Sequence, residues 1–353
     1  MTTGVPATSR AVTFREFGGP EVLKVEQVPT PEPGPGEVLV RVEAVSVGRL
    51  LDVVARSGRH PYAKFEFPHV LGAEHAGTVA ALGDGVEGVS VGDRVAVFPI
   101  VLTGEDRLTR AGRADLSPRI RLIGTHLRGA YADYAVAPAG NLLPIPDGMS
   151  APDAVALVLA ASVAVHQFEQ AGGIGPDSRV IVQGATSALG STTALYARHL
   201  GATVIVGSRE PAKRERLAEL GFEHVMDASD PEFAARAREL FDGEGADVVV
   251  DNLGEAGLWS HSCDALAPGG AIVSSGAFLG REVTVNLQRL YSQGHRLVGV
   301  RSGTLDAAHR AWQEVDHGFR SVVDRTFALD DAPAAHAYVE AGGNVGRVAL
   351  VTA

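Results

Sequence analysis

Cysteine is almost missing from this chain: Cys263 is the one thiol in 353 residues. One cysteine closes no intrachain disulfide and builds no thiolate zinc site, which needs several sulfur ligands. Long apolar runs are missing as well, and none approaches the roughly 20 residues that span a bilayer. The first residues, MTTGVPATSR, lack the basic-then-apolar pattern of a secretory signal and read as a floppy leader. A cytoplasmic location is the expectation. Positive charge is in the minority, with 31 Lys and Arg against 42 Asp and Glu for a net charge of −11. That balance argues against a surface made to grip nucleic-acid phosphates.

What remains is an ordinary globular composition, 45% hydrophobic and 21% charged. The length predicts two domains, because single cores rarely grow past about 250–300 residues. Residues 11–97 read as short strands punctuated by Gly and Pro. EVLVRVEAVSV (37–47) alternates as a half-buried strand does, and 77–98 reads as strand, turn, strand. Residues 99–128 form a long connection without clear periodicity. It carries Arg107, Arg110, Arg113, Arg119, Arg121 and Arg128 against Glu105, Asp106 and Asp115. One expectation is that Arg110 and Arg113 steer an anionic acceptor; the alternative is that the loop's arginines pair with its own acids.

Near Ser150 the style changes. An Ala- and Val-rich helix is followed by a repeated strand-then-helix pattern: RVIVQGAT, SALGSTTALYARHLG, ATVIVGS, PAKRERLAELG, then the buried strands DVVVDNLG and GAIVSSGAF. Such alternation predicts a parallel sheet with crossover helices. The last fifty residues are mixed, with a helix over 306–318 and two terminal strands.

QGATSALGSTTAL (183–195) sits between a strand and a helix, where a dinucleotide's pyrophosphate would meet the helix N-terminus. Ala185 and Ser187 occupy the first two slots of the Gly-x-Gly-x-x-Gly pattern, and Gly190 keeps the third. The predicted cradle is Gly184, Ala185, Thr186, Ser187, Ala188, Leu189 and Gly190. The next strand ends in Ser208 and Arg209, with Lys213 close behind, where an NAD enzyme carries a carboxylate for the ribose 2′-hydroxyl. Cations and a hydroxyl there favour a 2′-phosphate, so NADPH is the predicted cofactor. Asn252, Gly276, Ala277 and Phe278 follow strands at their C-terminal ends, where ligands bind open α/β sheets.

Taken together, FGGPEVLKVEQVPTPEPGPGEVLVRVEAVSVG, LDVVARSG, VLGAEHAGTVAALGDGV, VGDRVAVF, GAYADYAVAP, GATSALG and LFDGEGADVVVDNLG resemble the medium-chain dehydrogenase/reductase superfamily over about residues 11–351. The zinc-free quinone oxidoreductases and enoyl reductases are the branch most similar. The resemblance implies an α/β protein: a Rossmann doubly wound parallel sheet over 148–299, and a GroES-like β-rich catalytic domain over 1–147 completed by 300–353. It also implies a cofactor held in the cleft between the two. Asn344 and Arg347 resemble late cofactor-cleft residues. Where the zinc-dependent branch has a Cys, a His and a third ligand, this chain has Arg49, Ala73 and a residue near Ala160, so no metal is expected. Arg49 and His166 fall where relatives contact the nicotinamide side or line the cleft, which makes them tentative substrate residues. Tyr62 falls near a proton-donating Tyr of related enoyl reductases. A homodimer through the apolar segment 295–303 is expected, with no nucleic acid or membrane as partner. The activity implied is NADPH-dependent reduction of a conjugated enone or quinone. The alternatives are a zinc-free carbonyl reductase or alcohol dehydrogenase, and a cofactor-binding protein without turnover.

Overall fold

The alternation at 37–47 becomes the organising strand of the first half. In the computed structural model, which describes residues 4–61 and 64–352, strand Glu37–Val47 takes three antiparallel partners. His75–Leu82 lies along one edge. Tyr134–Pro138 and the C-terminal strand Arg347–Val351 share the other, the latter pairing Val348 with Val47. The sheet has seven strands in all. Val38, Val40, Val42, Val45 and Val47 are buried, and Val79, Val97, Val348 and Leu350 are buried with them. A small second sheet joins Lys24–Pro29, Thr8–Phe14 and His69–Val70. The leader expected over residues 1–10 does not hold from Thr8 onward, where the backbone is already paired, Thr8 against Pro29.

The segment 99–128 is not structureless. It holds an antiparallel pair, Ile100–Leu102 with Ile120–Leu122, and a one-turn helix, Arg107–Arg110, closed by a capping box from Asp106 and Thr109. Elements this short leave too few periods for a sequence pattern to register.

The second half holds a six-stranded sheet. Its order is His224–Asp227, Thr203–Ser208, Arg179–Gln183, Ala246–Asp251, Leu266–Ser274, Arg296–Gly299. Every pairing in it is parallel. This is the strand order of a doubly wound dinucleotide-binding sheet. Its central strands read as unbroken apolar runs because both faces are covered by helices. Val180, Ile181, Val182, Ile205, Val206, Val249 and Val250 are all fully buried.

Two compact units result, residues 1–159 with 322–353, and residues 160–321. The sequence reading drew its lines at 147/148 and 299/300. The first unit instead ends at Leu159, within helix Ala151–Ala171. That helix is 21 residues long with a mean hydropathy of 1.4 over its most apolar window, so it would span a membrane by length and composition. The sequence reading had seen no such run. With 83% of that window buried inside the protein, it is a core helix.

Candidate functional site

In the parallel-sheet unit, the chain leaves strand Arg179–Gln183 through a turn that only a small-residue sequence can make. Gly184 sits at φ +72, a left-handed conformation that side chains resist. A Cβ on Gly190 would lie 2.2 Å from the Gly184 carbonyl oxygen, so strand and helix can be this close only with glycine there. Ser187 caps helix Ala188–His199: its Oγ accepts from the Gly190 N–H and donates to the Gly184 carbonyl, both at 3.0 Å. The first-turn amides at Ala188 and Leu189 have no intrahelical acceptor, and with the helix dipole they form a ready anion site.

Beside this turn, strand Thr203–Ser208 ends in a nearly buried Ser208, whose Oγ accepts from the Glu210 N–H at 3.2 Å. The three following cations behave differently. Lys213 is ion-paired to Glu210 at 2.7 Å. Arg214 turns back, donating to the Ser208 carbonyl at 2.9 Å and pairing with Asp227 at 3.1 Å. Arg209 is exposed, and its side chain makes no hydrogen bond or ion pair among the described residues. It is the cation left available at the strand end.

A buried amide network lies under the C-terminal ends of the neighbouring strands. Gln167 donates from Nε2 to Asn252 Oδ1 at 3.1 Å and to Ser275 Oγ at 2.8 Å, while its Oε1 accepts from Thr193 at 3.1 Å. Asn252 Oδ1 also accepts the Ser275 N–H at 2.9 Å. Asn252 Nδ2 is then left buried without a partner, a donor awaiting an acceptor. Gly276 lets the next turn approach, since a Cβ there would lie 2.9 Å from the Asn252 carbonyl oxygen. Ala277 and Phe278 follow, with Phe278 56% exposed. The orphaned donor, the glycine contacts and the capped helix start fit a nicotinamide dinucleotide. Gln167 was missed in the sequence. Its signal was an amide set in an otherwise Ala- and Val-rich run. His166, chosen instead, is buried, and its Nδ1 lies 2.8 Å from the Ser302 carbonyl oxygen.

The β-rich unit contains the other predicted residues. Glu74 is buried and held on three sides: Ser46 Oγ donates at 2.6 Å, Arg347 Nη2 at 2.8 Å and the Leu159 N–H at 3.3 Å. Arg347, predicted to meet cofactor, is thus 7% exposed and paired inside its own unit. Asn344 donates locally to the Gly346 carbonyl at 2.8 Å. Arg49 turns its guanidinium onto the carbonyls of Val339 and Glu340, at the end of helix Ala332–Ala341, where a cation complements the helix dipole. Ala73 is a buried methyl group. Neither Arg49 nor Ala73 offers a metal a lone pair, and no group of three or more His, Cys, Asp or Glu among the described residues could hold a metal ion. Tyr62 lies outside the described residues.

Asp52 lies three residues after Arg49. It is fully buried, accepting the Gly48 N–H at 2.7 Å and the Gly72 N–H at 3.0 Å. Burial pushes its carboxyl up to about 7 against the pull of those two amides.

The loop arginines are mostly engaged. Arg113 forks onto Asp115, both contacts at 3.1 Å, and Arg110 lies 3.9 Å from Glu105. The two arginines expected to steer an acceptor are therefore the two paired with the loop's own acids. A cavity of about 390 Å³ in the parallel-sheet unit, lined by Trp259, Cys263, Arg289 and Leu297, follows the sheet's outer edge rather than the glycine turn.

Two family descriptions match the chain: an alcohol dehydrogenase GroES-like domain over residues 34–147 and a zinc-binding dehydrogenase domain over residues 188–317. A 2-haloacrylate reductase of a Burkholderia species is 29% identical over 97% of this chain and 98% of its own length. A quinone oxidoreductase of Pseudomonas aeruginosa is 29% identical over 97% and 99%. The solved structure of an NAD-dependent alcohol dehydrogenase is 34% identical, covers 98% of this chain and all of its own, and superposes with a TM-score of 0.90.

Proposed function

The chain belongs to the medium-chain dehydrogenase/reductase superfamily, and from that premise we propose that it is an NADPH-dependent, zinc-independent reductase of a C=C bond conjugated to a carbonyl. That it is an oxidoreductase of the medium-chain dehydrogenase/reductase class follows from its relatives. The finer reading rests chiefly on one observation: the family's metal-ligand positions hold a guanidinium committed to helix carbonyls, Arg49, and a buried methyl, Ala73. Direct reduction of C=O concentrates charge on one oxygen, which a Lewis acid stabilises by several kcal/mol. Conjugate reduction spreads the charge over an enolate, for which hydrogen bonds suffice. The 2-haloacrylate reductase and the quinone oxidoreductase among the relatives support this class.

In this reading the turn Gly184–Gly190 would hold the pyrophosphate, Arg209 the 2′-phosphate, and Asn252 Nδ2 would donate to the cofactor. A nicotinamide held there would supply hydride for an acceptor's β-carbon, and the matching proton at the α-carbon would come from Tyr62 or from water. Tyr62→Phe lowers kcat about 100-fold if the phenol is the acid; a near-normal rate removes Tyr62 and leaves the reaction class standing. The enzyme works in the cytoplasm as a homodimer. Activity that survives exhaustive chelation supports zinc independence, whereas stoichiometric zinc whose removal abolishes turnover refutes it.

A second reading, C=O reduction without zinc, is favoured by the likeness to the NAD-dependent alcohol dehydrogenase. The identity of the reduced bond separates the two.

A further inference from the structure

A second cavity, of about 450 Å³, lies wholly within the β-rich unit. Lys64, Glu66, His69, Thr125, His126 and Arg128 contribute to its wall. None of these is used in the function proposed above. Three observations give the cavity a chemical character.

Arg128 is the first. It stands in the cavity wall and makes no hydrogen bond or ion pair among the described residues. A cation in a concave wall without an acidic partner attracts an anion. The second is Thr125, 1% exposed, whose Oγ1 is buried with no hydrogen-bond partner. Buried hydroxyls are almost always bonded, so one in the wall of a cavity marks a place for an acceptor. The third is charge. Lys64 and Arg128 set two full positive charges on the wall against the single carboxylate of Glu66, in a protein of net charge −11.

We propose that this cavity binds an oxyanion of the phosphate or carboxylate class carried by a small molecule, with Arg128 as its charged anchor, Thr125 as a hydroxyl donor and Lys64 as a second cation. A guanidinium and a hydroxyl converging on one point suit the several lone pairs of such a group. The anion is either free or the charged end of the acceptor itself; the recognition chemistry is the same.

Calorimetric titration of the full chain with inorganic phosphate at low ionic strength tests this. Wild type binds phosphate. Arg128→Met weakens binding by about tenfold or more, the scale of one charge-assisted hydrogen bond. Arg128→Lys retains part of the affinity, Thr125→Val weakens it, and Glu66→Gln strengthens it by removing the opposing charge. Saturating NADP+ in the calorimeter cell keeps the glycine turn and Arg209 from contributing to the signal. Circular dichroism and melting of each variant establish that the fold is intact. The proposal is overturned if wild type binds no phosphate up to about 20 mM, if Arg128→Met binds like wild type, or if saturating NADP+ abolishes the signal. Competition identifies the source: phosphate raises KM for an anionic acceptor only if the acceptor's own charged end occupies the cavity. Unchanged KM values assign the site to a free anion.

Discussion

Arg347 Nη2 donates to Glu74 Oε1 at 2.8 Å across 273 residues of sequence, with side chains 8% and 2% exposed. The pair ties the C-terminal strand to the strand that follows Ala73. It therefore explains how the end of the chain completes a unit begun near its start. Breaking such a pair from one side strands a buried charge, at about 3–5 kcal/mol. Arg347→Met is expected to lose stability on that scale in urea unfolding. The double variant with Glu74→Gln is expected to lose clearly less than the sum of the singles. Additive losses would show that the pair contributes nothing.

Arg209 should select the cofactor. Arg209→Ala is expected to lower kcat/KM with NADPH by about tenfold or more, and to change the value with NADH by about twofold at most. Lys213→Ala should matter less, because Lys213 is already held by Glu210. A wild-type preference for NADH, or equal losses with both cofactors in Arg209→Ala, would reject the assignment.

Asp52 gives the stability a pH dependence of known sign. Its carboxyl rises from the ordinary 3.8 to about 7 in the folded chain, so folding takes up a proton between those values. Its contribution is present in full below about 4 and is lost as pH rises through about 7. Buried His75 and His336, pushed down to about 4 and about 3, act in the opposite sense below their ordinary 6.5. The difference in Tm between wild type and Asp52→Asn isolates the carboxyl. That difference is expected to shrink from pH 4 to pH 7 and then level off. A difference that grows with pH would mean that Asp52 is ionised throughout.

The sheet's outer edge should carry the dimer contact. Strand Arg296–Gly299 has one neighbour among the described residues, and Leu287, Tyr291 and Leu297 beside it are 71%, 75% and 42% exposed. An unpaired edge flanked by apolar side chains favours a two-fold partner. Light scattering is expected to give a dimer mass, and Leu297→Glu to shift it toward monomer. A concentration-independent monomer would refute this.

The parallel sheet and the glycine turn were legible because they repeat a short-range rule: apolar runs between helices, and small residues where backbone must approach backbone. The small elements within 99–128 were not, since one turn of helix and three-residue strands carry almost no period. Arg209 could be singled out by its place after a strand, yet its difference from Lys213 and Arg214 depends on side-chain pairings with Glu210 and Asp227. The same holds for Arg110, Arg113 and Arg128, equivalent as letters and distinguished by Glu105, Asp115 and a cavity wall. Gln167 and Asp52 gain their meaning from distant backbone and side-chain partners, which no local pattern encodes.

The reduced bond itself tests the central claim. A cyclic enone incubated with the purified, chelator-treated enzyme and NADPH is analysed for product by chromatography and mass spectrometry, with deuterium delivered from the labelled cofactor. The account predicts the saturated ketone, with the label on the β-carbon. An allylic alcohol with its C=C bond intact and the label on the carbinol carbon would contradict it and establish carbonyl reduction instead.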